Sequence, residues 1–264
     1  MIIVFYFENF QFSPAELIMS KSALRPFDDI LTTAIARKGS MKKIESTLPK
    51  VKKTKALEKI SDADVLRAMT RTVFQAGFRW SVIDAKWQGF EEVFKHFDVN
   101  DLLFSPPELW EEMCSDARIV RNGQKIFATR DNAQFIYEIG QEYGSFGKFL
   151  VQWPADDFVG MFQFLKKRGA RLGGATGQRC LRILGFDAPI FSSDVVAALI
   201  GNGVDVKPAM TSLRDMKAAQ VAFQQWQQES GLPLSHISKV LSYTAGENYA
   251  IDEIIYEEAK HHGQ

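Results

Sequence analysis

Apolar residues recur along this chain at the spacing of an α-helix, and no run of regularly alternating strand positions accompanies them. The clearest case is residues 61–78, where Val65, Met69 and Val73 share one face and the serine or aspartate at the start can cap the first turn. The same signals predict helices at 27–39, 80–98, 105–116, 125–144, 153–169, 194–203, 212–231 and 234–246. The sequence therefore predicts an all-α fold.

Breaks and caps refine this prediction. Gly89 is expected to interrupt the helical segment 80–98, and Ser105 is expected to cap the segment that follows it. The lysine-rich stretch 41–60 is interrupted by Pro49, which favours a solvated loop with short helical turns.

The two ends of the chain differ from its middle. Residues 1–18 are apolar and aromatic, but Glu8 interrupts them and no Lys or Arg precedes it, so they do not match a signal peptide and are too short for a membrane span. We interpret them as an extension, or a start-site artefact, outside a helical domain at 19–246. Residues 247–264 are expected to form a fraying tail.

Composition narrows the class of protein. Hydrophobic residues make up 46% of the 264 residues, which excludes wholesale disorder, and 32 cationic side chains balance 32 acidic ones, which argues against a histone-like binder. Cys114 and Cys180 are too few for a disulfide framework, and the four histidines form no metal-binding pattern. We predict no metal, no cofactor, no membrane and a cytoplasmic location.

A glycine-rich turn between two predicted helices is the first chemical signal. Residues 172–177 hold Gly173, Gly174 and Gly177. Glycines permit positive φ and close backbone approach, and successive N–H groups that open into a helix suit a phosphate. Many loops are rich in glycine, so the turn needs further support.

Cations surround this turn. No acidic residue lies between Asp157 and Asp187, whereas six cations do: Lys166, Lys167, Arg168, Arg171, Arg179 and Arg182. This local asymmetry suits a nucleic-acid backbone. The alternative interpretation is a solvated helix end whose cations complement the helix dipole.

Asp194 follows the glycine turn and is the candidate for a functional carboxylate. It comes after the segment 189–193, at the start of a predicted helix. It can be a simple N-cap. It can also be a carboxylate in a cleft beside the glycine turn.

Together these features resemble the helix-hairpin-helix DNA glycosylases. Their order of helix, glycine hairpin, helix, apolar-proline segment and aspartate is matched here by 158–168, 172–177, 178–184, 189–193 and Asp194. The resemblance implies a bundle of two helical lobes with a cleft between them. It also implies that Lys166, Lys167, Arg168, Arg171 and Arg179, with the hairpin glycines, contact DNA.

A second motif resembles the 3-methyladenine DNA glycosylase I family. Residues 74–80 read Phe-Gln-Ala-Gly-Phe-Arg-Trp, like that family's Q-A-G-hydrophobic-x-W motif. Collinear matches continue through Phe90-Glu91-Glu92-Val93-Phe94, Phe97-Asp98, Ile119-Val120-Arg121-Asn122, Lys125-Ile126, Asn132-Ala133 and Leu165-Lys166-Lys167-Arg168-Gly169. The resemblance implies a glycosylase of base excision repair that flips an alkylated purine out of double-stranded DNA and hydrolyses its glycosidic bond.

The resemblance also implies a base pocket. The sequence departs from the family's pattern in two respects. The pocket candidates are Thr72, Phe74, Gln75, Phe78, Trp80 and Trp87, although aromatic residues at helical spacing are more often core residues. The family's zinc-binding Cys and His patterns are absent, so a zinc-free branch is expected. Thr72 stands where those enzymes carry a glutamate that contacts the damaged base, which leaves the lesion open.

The expected reaction depends on the carboxylate of Asp194 and on the absence of a lysine from the hairpin. An oxocarbenium-like sugar is stabilised by a nearby carboxylate, and Asp194 is the candidate. Bifunctional relatives use a hairpin lysine, but no lysine occurs from 168 to 206, so we predict no lyase activity. Three alternatives remain open: a non-catalytic helix-hairpin-helix DNA-binding protein, a protein that binds a nucleotide-like ligand at the glycine turn, and a helical scaffold.

Overall fold

The computed structural model describes residues 24–253 and 255, and every regular element in this part of the chain is helical. The prediction of an all-α fold is confirmed. The α-helices are α1 Phe27–Lys38, α2 Met41–Glu45, α3 Thr54–Glu58, α4 Asp62–Gln75, α5 Trp80–Ala85, α6 Trp87–Val93, α7 Val99–Leu103, α8 Pro107–Met113, α9 Gly123–Tyr143, α10 Phe146–Gln152, α11 Phe158–Arg168, α12 Ala175–Leu184, α13 Ser193–Gly201, α14 Leu213–Ser230 and α15 Leu234–Ser242. The hypothesis about residues 1–18 lies outside the described residues.

Local chemistry explains where the helices begin and end. The Ser61 hydroxyl accepts the Asp64 N–H at 3.1 Å and so caps α4, as predicted. Gly144 ends α9 in the left-handed conformation, with φ 85°. Helix α11 begins at Phe158, five residues later than its predicted start, because the Asp157 carboxylate accepts the Gly160 N–H.

Two predicted details are wrong, and two short helices were not predicted. Gly89 lies inside α6, and the break falls before it, at Lys86. The glycine serves close packing instead, since a Cβ there would lie 2.4 Å from the Arg118 carbonyl oxygen. Ser105 does not cap α8; its hydroxyl donates to the Asp101 carbonyl, and the helix begins after Pro106. Helices α7 and α10 were missed although Asp98 and Ser145 cap their first turns.

The first lobe comprises α3 to α10. Helix α4 packs along α9, α7 also packs on α9, and α10 covers α3. Its centre is aromatic: Phe74 meets Phe90 edge to face at 4.7 Å between ring centroids, and Phe94 and Phe97 extend the stack. Burial of this surface is the main force that holds the lobe together.

The second lobe is built from segments that come before and after the first lobe in the sequence. Helices α1 and α2 precede the first lobe in sequence, and α13, α14 and α15 follow it, yet α1 packs on α14 and α15. The Trp226 Nε1 donates to the Arg25 carbonyl at 2.9 Å, and the Phe27 N–H donates to the Glu229 carboxylate at 2.8 Å. Helix α12 packs on α4 of the first lobe, and its Arg182 donates to the Ser235 carbonyl of α15 at 3.4 Å, so it lies between the lobes.

A segment that follows α15 is held against α1. We call residues 243–249 the C-terminal strap. Arg37 donates to the Tyr243 and Gly246 carbonyls at 2.8 and 2.7 Å, and Lys38 donates to the Tyr249 carbonyl at 2.7 Å. These charge-assisted bonds hold the strap in one place. Among the described helices, none combines the length and the apolar character that a bilayer crossing requires.

Candidate functional site

A cleft of about 540 Å³ opens between the two lobes. The first lobe supplies α4 and α5, the second supplies α15 and the loop 46–50, and α12 forms the wall between them. The lining residues are Ser46, Thr47, Leu48, Pro49, Lys50, Arg71, Gln75, Trp80, Arg179, Arg182, Ile183, Ile190 and Lys239. The size lies within the range of small-molecule binding sites.

A buried lysine shapes the wall at the end of α4. The Lys125 ammonium donates to the carbonyls of Phe74 at 3.0 Å and Ala76 at 2.6 Å, and it lies 4.4 Å from the centre of the Phe78 ring. Burial lowers the pKa of Lys125. By satisfying the last carbonyls of α4, Lys125 holds the turn that carries Gln75 into the cleft. The sequence motif included Lys125 but gave no sign of this role.

Trp80 and Arg179 meet across the cleft. The Arg179 guanidinium carbon lies 5.2 Å from the centre of the Trp80 ring, which is the geometry of a cation–π contact. Trp80 comes from the first turn of α5 and Arg179 from the middle of α12. The structure therefore brings three of the candidates together at the cleft: Gln75, Trp80 and Arg179.

The other four pocket candidates do not line the cleft. Phe74 is fully buried in the aromatic core, and the Thr72 hydroxyl donates back to the Ala68 and Met69 carbonyls. Trp87 stacks on Phe90 and Phe97, and Phe78 is exposed outside the cleft wall. Phe74, Thr72 and Trp87 therefore pack inside the first lobe, where helical spacing places most aromatic and small residues of a buried face.

The predicted hairpin joins α11 to α12. Gly174 has φ 58° and ψ −140°, a conformation open to glycine, and a Cβ on Gly177 would lie 2.2 Å from the Leu172 carbonyl oxygen. No side chain caps the N-terminus of α12, and an uncapped helix N-terminus favours a bound anion. Gly173 packs on the Lys166 side chain.

The hairpin cations divide into two groups. Lys166 and Lys167 are exposed at the end of α11. Arg168 pairs with Glu138 at 3.0 Å, and Arg171 donates to the Gln124 side chain. The first pair of cations is therefore the better placed to meet a phosphate backbone.

Asp194 lies in the first turn of α13 but is not its cap. The Ser192 hydroxyl accepts the Val195 N–H at 3.3 Å and performs that role, so the N-cap interpretation is wrong. The half-buried Asp194 carboxylate faces the C-terminal strap, where a Cβ on Gly246 would lie 2.5 Å from its Oδ1.

The surroundings of Lys38 relate Asp194 to the cleft. Burial lowers the pKa of Lys38, the charges of Arg37 and Lys239 lower it further, and Asp194 opposes them. The ammonium groups of Lys38 and Lys239 lie 5.1 and 5.4 Å from the centre of the Tyr243 ring. Asp194 is not part of the cleft wall, to which Lys239 belongs.

Among the described residues, no group of three or more His, Cys, Asp or Glu side chains could hold a metal ion. Burial raises the pKa of the Cys180 thiol to about 12, so this cysteine stays protonated. The chemistry available in the cleft is that of its cations, the Ser46 and Thr47 hydroxyls, the Gln75 amide and the Trp80 indole.

These features define an all-helical protein in which two lobes enclose a cleft next to a helix-hairpin-helix. Residues 51–170 match the family model described as methyladenine glycosylase. The match covers 120 of the 264 residues of the chain. The matched segment includes the first lobe and α11, whereas α12, α13 and Asp194 lie beyond it.

Solved structures similar to this chain include 3-methyladenine DNA glycosylase I from Staphylococcus aureus, with 23% identity over 50% of this chain and 81% of that chain and a TM-score of 0.43. A complex of a 3-methyladenine DNA glycosylase I variant with 3-methyladenine has 22% identity over 56% of this chain and 88% of that chain, with a TM-score of 0.43. The Methanocaldococcus jannaschii 8-oxoguanine glycosylase/lyase bound to DNA has 17% identity over 81% of this chain and 96% of that chain, with a TM-score of 0.46.

Proposed function

We propose that this protein is a monofunctional DNA glycosylase that excises an alkylated purine in base excision repair. The observation that carries the proposal is the position of Trp80 and Gln75, which face α12 across a cleft large enough for a flipped base, beside the glycine hairpin. In this proposal the base leaves the duplex, stacks against Trp80 and presents its edge to the Gln75 amide. The hairpin binds the backbone of the same duplex.

Asp194 is the proposed catalytic group. Its carboxylate would stabilise positive charge on the sugar as the base departs, and would orient the water that attacks. The C-terminal strap lies directly against this carboxylate, so the proposal requires the strap to give way when DNA enters. The test is release of free base from a duplex with one alkylated purine at a defined position, measured beside the undamaged duplex.

The rival function is a non-catalytic helix-hairpin-helix DNA-binding protein. The exposed pair Lys166 and Lys167 at the hairpin would serve it equally well. Tight, salt-dependent duplex binding without release of any alkylated purine would establish the rival.

Backbone binding predicts a defined salt dependence. Changing Lys166 and Lys167 together to glutamine should weaken duplex binding at every sequence and reduce the slope of log affinity against log salt by about 2, because each lysine releases about one counterion. Fluorescence anisotropy at several salt concentrations measures this slope. The matched control changes the exposed Lys148 and Lys207, away from the hairpin, and should leave the slope unchanged. An unchanged slope in the hairpin variant would refute hairpin contact with DNA.

The monofunctional mechanism predicts no covalent adduct with abasic DNA. A lyase forms a Schiff base between a lysine amine and the sugar, which borohydride traps. The lysines that line the cleft are Lys50 and Lys239, so an adduct would be sought on them by peptide mass spectrometry. We expect no trapped adduct with wild type, and a trapped species that disappears in Lys239→Gln would show lyase activity instead.

A further inference from the structure

Two arginines of α4 differ in how fully their guanidinium groups are bonded. Arg67 and Arg71 lie one helical turn apart, and each pairs with a carboxylate and lies over an aromatic ring. Every guanidinium nitrogen of Arg67 donates a hydrogen bond, because the acceptors are both Glu91 oxygens, the Asp64 carboxylate and the His96 carbonyl. Arg67 therefore serves the packing of the first lobe and does not line the cleft, whereas Arg71 does.

Arg71 is bonded through a single nitrogen. Its Nη2 donates to the Asp84 Oδ1, and its guanidinium carbon lies 4.7 Å from the centre of the Trp87 ring. In the part of the chain that the structure describes, Nε and Nη1 of Arg71 donate to no protein group, and the buried Asp84 Oδ2 has no hydrogen-bond partner. The carboxylate and the ring hold the guanidinium from two sides and leave donors for a ligand in the cleft. Because Asp84 balances the charge, these donors can approach even a cationic base.

Gln75 supplies a second polar group beside Arg71. It follows Arg71 by one helical turn on α4, so the two side chains share a face, and both line the cleft. Gln75 is only 7% exposed, and its side-chain amide makes no hydrogen bond to any other described residue. A buried amide without partners costs free energy until a ligand supplies them. Arg71 and Gln75 together therefore form a surface that fits the polar edge of a base.

The two side chains differ in what they require of that edge. The Gln75 amide has both a donor and an acceptor, so it can pair with N6 and N7 of an adenine or, turned over, with O6 of a guanine. The Arg71 guanidinium only donates, and its planar fork matches the adjacent O6 and N7 acceptors of guanine. The amino group of an adenine would face this fork donor to donor. Arg71 therefore decides between the two bases.

We infer that Arg71, together with Gln75, makes the cleft select alkylated guanine over alkylated adenine. This inference rests on the proposed function and names its substrate class, an N-alkylated purine with an oxygen at C6. In this inference Arg71 and Gln75 contact the base, whereas Asp84 and Trp87 are positioning residues that act by holding the guanidinium.

The experiment uses duplex DNA treated with a methylating agent, which contains both 3-methylguanine and 3-methyladenine. Both bases carry the methyl group at N3 and a positive charge while attached to the sugar, so they differ in their substituents at C2 and C6. Released bases are quantified by chromatography, and each enzymatic rate is divided by the rate of spontaneous loss of the same base. We expect the enhancement for 3-methylguanine to exceed that for 3-methyladenine by about tenfold or more.

Variants of α4 assign the discrimination to Arg71. Arg71→Gln replaces the donor-only fork by an amide that fits either base, so the ratio of the two enhancements should fall at least about fivefold. Arg71→Lys keeps the charge beside Asp84 without the planar fork and should also lower the ratio, which serves if the glutamine variant does not fold. Asp84→Asn loosens the guanidinium and should lower the ratio less.

The matched control is Arg67→Gln, which removes a paired and stacked arginine of the same helix from outside the cleft. It should leave the ratio unchanged, whatever it does to stability. An unchanged ratio in both Arg71 variants, or an equal fall of the ratio in Arg67→Gln, would overturn the role of Arg71. A larger enhancement for 3-methyladenine in wild type would overturn the inference and leave the glycosylase function intact.

A binding measurement separates the inference from the enzymatic proposal. Free 3-methylguanine and free 3-methyladenine are titrated into wild type and into Arg71→Gln by isothermal titration calorimetry. Tighter binding of 3-methylguanine to wild type, with the preference lost in the variant, supports the inference even if no base is released from DNA. Equal binding, or tighter binding of 3-methyladenine, contradicts it. Absence of both binding and base release would overturn the inference together with the proposed function.

Discussion

Replacing Asp194 with asparagine is expected to reduce base release about 100-fold or more while duplex affinity stays the same. The carboxylate acts only when positive charge develops on the sugar, so its loss raises the barrier without weakening the bound state. Asparagine has nearly the same shape and fits the same space beside Gly246. Single-turnover base release and anisotropy titrations of the same two proteins measure the two quantities.

The control for this prediction is another carboxylate of the second lobe. Asp205 is 78% exposed and pairs with Arg214, so Asp205→Asn should change neither rate nor affinity. A comparable loss of rate in Asp205→Asn would contradict a specific role for Asp194. If Asp194→Asn keeps full activity but lowers the melting temperature, the carboxylate serves to hold the C-terminal strap.

Replacing Phe74 with alanine is expected to cost about 3–5 kcal/mol of unfolding free energy, because a fully buried ring leaves a cavity that its neighbours fill only in part. Phe74 contacts Phe90 at 4.7 Å and Phe94 at 6.5 Å between ring centroids, in the centre of the first lobe. Urea unfolding measures the change. This effect would make Phe74 a packing residue, in contrast to its interpretation from sequence as part of the base pocket.

Phe78 provides the comparison, since it follows the end of α4 in the same segment of the chain and is 39% exposed. Phe78→Ala should cost less than about 1 kcal/mol, chiefly through its contact with the Lys125 ammonium. If Phe74→Ala keeps its stability but loses selectivity between damaged bases, the ring contacts the base and the core assignment fails.

The helices could be predicted because their signals are local. The caps of α4 and α9 and the apolar face of Val65, Met69 and Val73 depend on residues a few positions apart. Helices α7 and α10 escaped prediction because five and seven residues are too few to show a clear helical periodicity, although Asp98 and Ser145 cap them. Their packing on α9 and α3 stabilises them.

The site was predictable only where a motif and the fold agree. Gln75 and Trp80 reach the cleft because they flank the turn at the end of α4. Trp87 is also a tryptophan and follows Trp80 closely in the sequence, yet it stacks on Phe90 and Phe97. Which aromatic residue faces a cleft depends on how the lobes pack, and no local spacing contains that information.

Several groups at the cleft come from distant parts of the sequence. Lys50 belongs to the lysine-rich stretch that was interpreted as a solvated loop, and Lys239 belongs to α15. The strap beside Asp194 is held by Arg37 and Lys38, about 210 residues before it in sequence. Such contacts follow from tertiary packing alone, so the sequence offered no signal for them.

The order of the helices along the chain has a consequence for biosynthesis. The Phe27 N–H bonds to Glu229, across 202 residues, so α1 emerges from the ribosome long before the helices that cover it. Until then its apolar face of Phe27, Ile30 and Ala34 lacks the cover of α14 and α15, while the first lobe can close through contacts nearer in sequence. We expect the first lobe to fold during translation and the second to form at its end, with the nascent α1 as a binding site for chaperones.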